Sequence, residues 1–146
     1  MSETQQPPLA GIKVVDLTRY LAGPFCTQIL GDYGAEILKI EPVENPRGEL
    51  GDSGDAKRHD SYFFLSTNRS KKSVRLAIKK PEGREILMRL IDGADILVDN
   101  FRPGVMQAIG LDYETLAQRN PHIITCSISG FGSITAAFAQ NDTRLK

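Results

Sequence analysis

The chain is short of cysteine and histidine, carries no net charge and has no long apolar run. Its two cysteines, Cys26 and Cys126, stand a hundred residues apart. That argues against a disulfide scaffold or a Cys-rich zinc site, and for two buried thiols in a reducing compartment. Eighteen basic and eighteen acidic residues cancel, so no overall positive field favours DNA, RNA or an anionic membrane. No apolar stretch approaches the roughly 18 residues of a membrane span. Residues 1–8 lack both a basic stretch followed by an apolar one and an Arg-rich amphipathic pattern. They read as a disordered lead-in to a cytosolic protein. Internal repeats and low-complexity tracts are absent as well.

Several common catalytic signatures are also missing. No G-x-G-x-x-G follows the first strand, so Glu41, at the end of the second strand where a ribose-binding acid would sit, is by itself only a weak sign of dinucleotide binding. There is no phosphate-cradling G-x-x-x-x-G-K-[ST] loop and no G-x-S-x-G nucleophile elbow. His59 and His122, the only histidines, have no metal-ligand spacing to each other or to a cysteine, and both read as surface residues.

What remains is an ordinary globular composition in 146 residues, 40% hydrophobic and 25% charged. A chain of this length buries about 70% of its unfolded surface, enough for a real core. Strand and helix patterns alternate. Strands are expected at 12–16, 36–40, 73–76, 95–99 and 123–128. One helix opens at Gly23-Pro24, with Phe25, Ile29, Leu30 and Tyr33 facing inward and Gly34 as a left-handed cap. A second starts at Pro81, turns Ile86, Leu87, Leu90 and Ile91 inward and stops at Gly93. A two-turn helix is expected between Pro103 and Gly110, and a short one from Tyr113 capped by Asp112. Residues 41–60 read as a long polar loop. Tyr62-Phe63-Phe64-Leu65 is an apolar patch whose periodicity decides nothing.

Strands apolar on both faces, linked through helices, predict an α/β fold: a Rossmann-like doubly wound sheet of mainly parallel strands with right-handed crossovers. Ligands in such sheets sit at the carboxyl ends of the strands. Here those ends carry residues 16–24, Glu41-Pro42, 99–104 and 129–132. Arg69 to Arg84 holds seven basic residues against one acid, and Glu41 to Asp55 holds five acids against one base. The basic run, with Lys79 in it, could grip phosphates or could simply be a solvated face. The helix starts at Gly23-Pro24 and Pro103-Gly104 would present backbone N–H groups to an anion, and Asn100 can donate and accept in the same crevice. Together these suggest a phosphate-bearing ligand without identifying it.

Three stretches carry a family resemblance: LAGIKVVDLTRYLAGPFCTQILGDYGAEILKIE from Leu9, FFLSTNRSKKSV from Phe63, and VDNFRPGVMQAIGLDYETLAQRNPHIITCSISGFG from Val98. In this order, with DLTRYLAGP, NRSKKS and NFRPG combined, the chain resembles the amino-terminal part of class III coenzyme A transferases. That group includes formyl-CoA, carnitine and succinyl-CoA:dicarboxylate CoA-transferases.

The resemblance implies a large Rossmann-like domain of which residues 9–132 are the amino-terminal part, preceded by the lead-in at 1–8. It implies an interlocked homodimer in the whole protein. It also implies that coenzyme A, as acyl-CoA, is a substrate rather than a tightly bound cofactor, with a carboxylic acid as acceptor and no part for nucleic acid or membrane. An aspartate attacks the acyl-CoA thioester, and CoA passes by way of an aspartyl intermediate to the second acid. Carried over by position, CoA contacts are expected from Leu21 and Ala22, from Leu76, Ala77, Ile78 and Lys79, and from Asn100, Phe101 and Arg102. No catalytic or metal-binding residue is carried over. Leu21 stands where some members have glutamine, Pro42 where some have a CoA-binding arginine, and Gln107-Ala108 where a Glu-Arg pair is common. Residues 133–146 follow no family pattern, and Asp142 among them does not match the nucleophile, which is expected outside this chain. Alternatives are a non-catalytic or partner-dependent CoA-binding fragment and the α-methylacyl-CoA racemase branch of the same family. The expected compartment is the cytoplasm, or the mitochondrion for a eukaryotic form without its transit peptide.

Overall fold

A computed structural model describes residues 6–43, 54–55, 60–130 and 132. In chain order the elements are β1 (Lys13–Asp16), α1 (Ala22–Asp32), β2 (Glu36–Glu41), β3 (Gly54–Asp55), β4 (Asp60–Ser61), α2 (Tyr62–Thr67), β5 (Lys72–Arg75), α3 (Pro81–Asp92), β6 (Ile96–Asp99), α4 (Val105–Ala108), α5 (Tyr113–Arg119) and β7 (Ile124–Ser127). Five strands form one sheet in the order β5-β2-β1-β6-β7, every pair parallel, and β3 and β4 form a separate small antiparallel pair. The expected α/β fold is therefore present. The apolar patch at 62–65 lies in α2. Much of the long acidic loop, His59 and the residues after Gly132 lie outside the described residues.

The two faces of the sheet differ in kind. Val15, Leu17, Ile40 and Leu97 point to one side and pack with Leu87, Met88 and Ile91 of α3, Leu111, Leu116 of α5 and Ile123. This is the main core, and alternation along each strand puts its strand members on one face. The opposite face carries Val14, Ile37 and Val98 in a smaller apolar cluster. Beside it, in register with Val98, stand two charged residues, Asp16 and Lys39. Both are buried.

Helix α1 covers this second face, and it does so with the stripe opposite to the one expected. Gly23, Pro24 and Thr27 are buried, whereas Phe25, Ile29 and Tyr33 are exposed and Leu30 is half-buried. The reason is close approach. A Cβ on Gly23 would lie 2.3 Å from Cβ of Thr18, and one on Gly31 would lie 3.2 Å from Ile37. Small residues let the helix sit down on the sheet, and large apolar ones on that stripe would lift it off. The helix ends as expected, with Gly34 left-handed at φ +100°.

In α3, Leu87, Met88 and Ile91 are buried and Ile86 is exposed, so the inward stripe is turned by a residue or so from the expected one. Pro81 starts the helix, Glu82 lies in its first turn and Arg89 in its last, each favourable to the helix dipole. The segment between Pro103 and Gly110 makes a single turn, Val105–Ala108, rather than two. Asp112 caps α5 as expected, accepting from the Thr115 N–H at 2.9 Å. His122 is exposed.

Candidate functional site

From β1 the chain moves outward to β2 and β5, then crosses back to add β6 and β7 on the other side of β1. The strand order reverses between β1 and β6. Their carboxyl ends must diverge there, leaving the crevice that ligands of open α/β sheets occupy.

Two loops form the walls of this crevice, and one side chain latches them. The Asn100 amide oxygen accepts from the Arg19 backbone N–H at 2.8 Å, and its amide nitrogen donates to the Arg19 carbonyl at 2.7 Å. Asn100 thus does donate and accept in the crevice, but toward the neighbouring loop. Its side chain shapes the site. Asp99 fixes the same loop from below, accepting from the Phe101 N–H at 3.1 Å and from the Ser127 hydroxyl at 2.5 Å.

The other fixed point is an ionic cluster under the start of α1, which sequence reasoning missed. One Asp16 oxygen accepts from the Thr18 N–H at 2.8 Å and the Thr18 hydroxyl at 2.5 Å. The other accepts from the Thr27 hydroxyl at 2.6 Å and the Lys71 ammonium at 3.1 Å. Lys71 also donates to the Pro24 carbonyl at 2.8 Å, Thr27 at 2.7 Å and Asn68 at 3.0 Å. Lys39 donates to the Thr18 carbonyl at 2.7 Å. Burial pushes the Asp16 carboxyl up, but Lys39, Lys71 and the two threonine hydroxyls outweigh it and hold the group below the usual carboxylate range. Burial, with Lys39 acting in the same direction, lowers the Lys71 ammonium although Asp16 raises it. Leaving either partner alone in this position would strand a buried charge. The cluster therefore pins the Asn68–Lys71 turn and the first turn of α1 to the end of β1.

The basic run from Arg69 to Arg84 is accordingly not one anion-binding face. Lys71 is directed inward, with 2% of its side chain exposed. Arg69 pairs with Asp32 at 2.6 Å and Lys72 with Glu36 at 2.7 Å. Lys79 and Lys80, past the end of β5, are exposed. The Ser73 hydroxyl donates to the buried Glu41 carboxylate, so that acid faces β5.

The expected contact residues all fall on the carboxyl edge of the sheet, with different degrees of access. Leu21 and Ala22 are exposed where α1 begins, next to Tyr20, which is also exposed. Tyr20 holds φ 65°, a left-handed conformation costing a non-glycine residue about 1–3 kcal/mol. Arg102 is exposed and Phe101 half-buried, its ring packed against the main core. Leu76 is a core residue, so its side chain is unavailable to a ligand. Ala77 and Ile78 are half-buried. Three strand spacings separate β5 from β6, placing the Lys79 and Arg102 loops about 14 Å apart along the edge. The site is thus an elongated edge with an apolar mouth at Tyr20–Ala22 and Phe101, and cations at either side. The described residues hold no cluster of three or more metal-ligating side chains. They include no helix long and apolar enough to cross a membrane.

The parallel sheet with this elongated, cation-flanked edge at its switch point is that of an α/β protein. The profile of CoA-transferase family III matches residues 9–143, and the chain belongs to that family. An acyl-CoA transferase of Fusarium pseudograminearum is 44% identical over 139 residues, covering 90% of this chain and 30% of the relative. Human succinyl-CoA:glutarate CoA-transferase is 45% identical over 132 residues, covering 86% of this chain and 28% of the relative. A CAIB/BAIF family protein of Brucella suis superposes with a TM-score of 0.77 at 40% identity, over 88% of this chain and 35% of that one. Rv3272 of Mycobacterium tuberculosis gives 0.75 at 31% identity, over 94% and 42%. The chain spans roughly a third of the length of the curated relatives it matches.

Proposed function

We propose that this chain is the amino-terminal, CoA-binding portion of a CoA-transferase that moves CoA from an acyl-CoA to a carboxylic acid. The observation that carries the reading is the family match across residues 9–143. The geometry supports it: Leu21, Ala22, Lys79, Phe101 and Arg102 lie along one sheet edge, with apolar groups in the middle and cations at the flanks. Pantetheine is long and mostly uncharged and the nucleotide end is anionic, so such an edge suits both. In this reading Asn100 holds the crevice open rather than touching the ligand, and Ala77 and Ile78 line it chiefly through their backbone.

The transfer itself needs a free carboxylate. It attacks the thioester carbonyl and expels CoA thiolate, leaving an acyl anhydride. The thiolate then attacks the enzyme's carbonyl and expels the first acid, giving an enzyme thioester that the acceptor acid resolves by the reverse steps. Asp16 and Asp99 lie at the carboxyl ends of their strands, but both are buried and both oxygens of each already accept hydrogen bonds. Neither is free to attack. The reading therefore assigns the nucleophilic aspartate to a part of the whole protein other than residues 9–132, and the homodimer to that whole protein. The 146-residue chain by itself binds CoA without turnover.

Titration calorimetry with coenzyme A tests this. Binding is expected, and Lys79→Ala should weaken it by about 1–3 kcal/mol, the worth of a charge-assisted phosphate contact. No heat at millimolar coenzyme A, or an unaltered affinity in the variant, would count against the reading. Sustained acyl-CoA:carboxylate exchange by this chain would refute its non-catalytic part.

A further inference from the structure

The two cysteines were expected to be separate buried thiols, but the fold brings them together. Register places Val98 beside Asp16 and Cys126 beside Val98. Neighbours in parallel register share a face, so Cys126 lies on the side of the sheet that α1 covers, two strands from Asp16. On α1, Thr27 bonds Asp16, and the adjacent Cys26 belongs to the stripe that continues one turn later at Leu30. Leu30 and Cys126 pack against the same small cluster around Val98. Cys126 is near enough to Cys26 to push its thiol up. Both are free and both are half-buried, and among the described residues β7 is the outermost strand of the sheet, with Ile124 61% exposed. Helix and strand thus present two adjoining sulfurs that a small solute can reach.

We propose that Cys26 and Cys126 form a reversible intramolecular disulfide with a low-molecular-weight disulfide such as oxidised glutathione, tying α1 to β7. The Cys126 thiolate attacks one glutathione sulfur, forming a mixed disulfide and releasing one glutathione thiolate. Cys26 gives its proton to solvent and attacks the Cys126 sulfur, closing the internal bond and releasing the second glutathione. Two protein thiols are oxidised and one glutathione disulfide is reduced to two thiols. Burial, then the nearness of Cys126 and Asp16, pushes the Cys26 thiol up. That suits it to the second step, where the target sulfur is already close by and proximity offsets a low thiolate fraction.

Intact mass spectrometry of the whole chain after incubation with oxidised glutathione tests the proposal without reference to coenzyme A. The expected product has lost two hydrogens, carries no glutathione and reverts with dithiothreitol. Digestion without reductant should yield one joined peptide pair spanning Cys26 and Cys126. Cys26→Ser should instead accumulate the Cys126–glutathione adduct. The wild-type digest decides the matter even if that variant folds poorly. Failure to find the joined pair, stable glutathione on both cysteines, or a disulfide between two chains as the main product would overturn it.

Discussion

Replacing Lys71 with methionine keeps the length of the side chain and removes its ammonium. In the folded protein that ammonium contacts four acceptors, from Asp16, Pro24, Thr27 and Asn68. The side chain is 2% exposed and that of Asp16 is 0% exposed. Water therefore cannot compensate for the loss. Breaking a buried pair by removing one partner costs about 3–5 kcal/mol, because the remaining charge is stranded. Lys39 stays close enough to lower the Asp16 carboxyl, so the lower half of that range is expected. Against a domain stability of about 5–15 kcal/mol this is a large fraction. Urea unfolding followed by circular dichroism reads it directly. With a slope of about 1–3 kcal/mol per molar urea, the midpoint should fall by 1 M or more. A companion Asp16→Asn change in the Lys71→Met background should recover part of the loss, since it neutralises the stranded charge. A midpoint within about 0.3 M of the wild type, or a double variant no better than Lys71→Met, would show that the cluster does not hold α1 as argued.

Gly23→Ala should destabilise by at least about 1–3 kcal/mol, the usual cost of overpacking. Its Cβ would fall 2.3 Å from Thr18, and a thermal melt unchanged by the substitution would contradict that close approach. Asn100→Ala removes both bonds to the Arg19 backbone and should cost about 1–3 kcal/mol. Faster amide exchange at Arg19 is its specific signature, and unchanged exchange would speak against the latch. Acid should weaken the fold in a defined window. Because the Asp16 carboxyl is held below its usual range, its contribution is complete above the unfolded value of about 3.9 and is lost as pH falls from there toward the folded value. A melting temperature level from pH 7 to pH 3 would disprove the sign.

The strands were legible because their composition leaves little choice. Ile96, Leu97 and Val98 are covered on both faces of the sheet, and no exposed alternative competes for so continuous an apolar run. Punctuation was legible for the same local reason: Asp112 bonds Thr115 three residues on, and Gly34 takes a conformation that glycine adopts freely. The inward stripe of α1 was not legible. Periodicity finds the large apolar row Phe25, Ile29 and Tyr33, but the packed row is Gly23, Thr27 and Gly31, selected by how near the helix must come to Thr18 and Ile37. Hydrophobicity says nothing about that distance. At the site, the edge of the sheet could be read from strand order, while the partners of its polar groups could not. Lys71 reads locally as one member of a basic run, and nothing beside Asn100 in the sequence points to the Arg19 backbone. Their true partners are 55 and 81 residues away. The nearness of Cys26 and Cys126 likewise depends on register across β1, β6 and β7, which no local window contains.

The middle position of β1 has a temporal consequence. Val14 pairs with Ile37 on one side and with Ile96 on the other. During synthesis the first border can be sealed early, while the second must wait for some sixty further residues to emerge. Until then a row of main-chain donors and acceptors stands open to any extended peptide nearby, a recognised hazard for non-local parallel pairing. A nascent chain stalled before Ile96 should therefore be a better chaperone client than one that has passed Asp99.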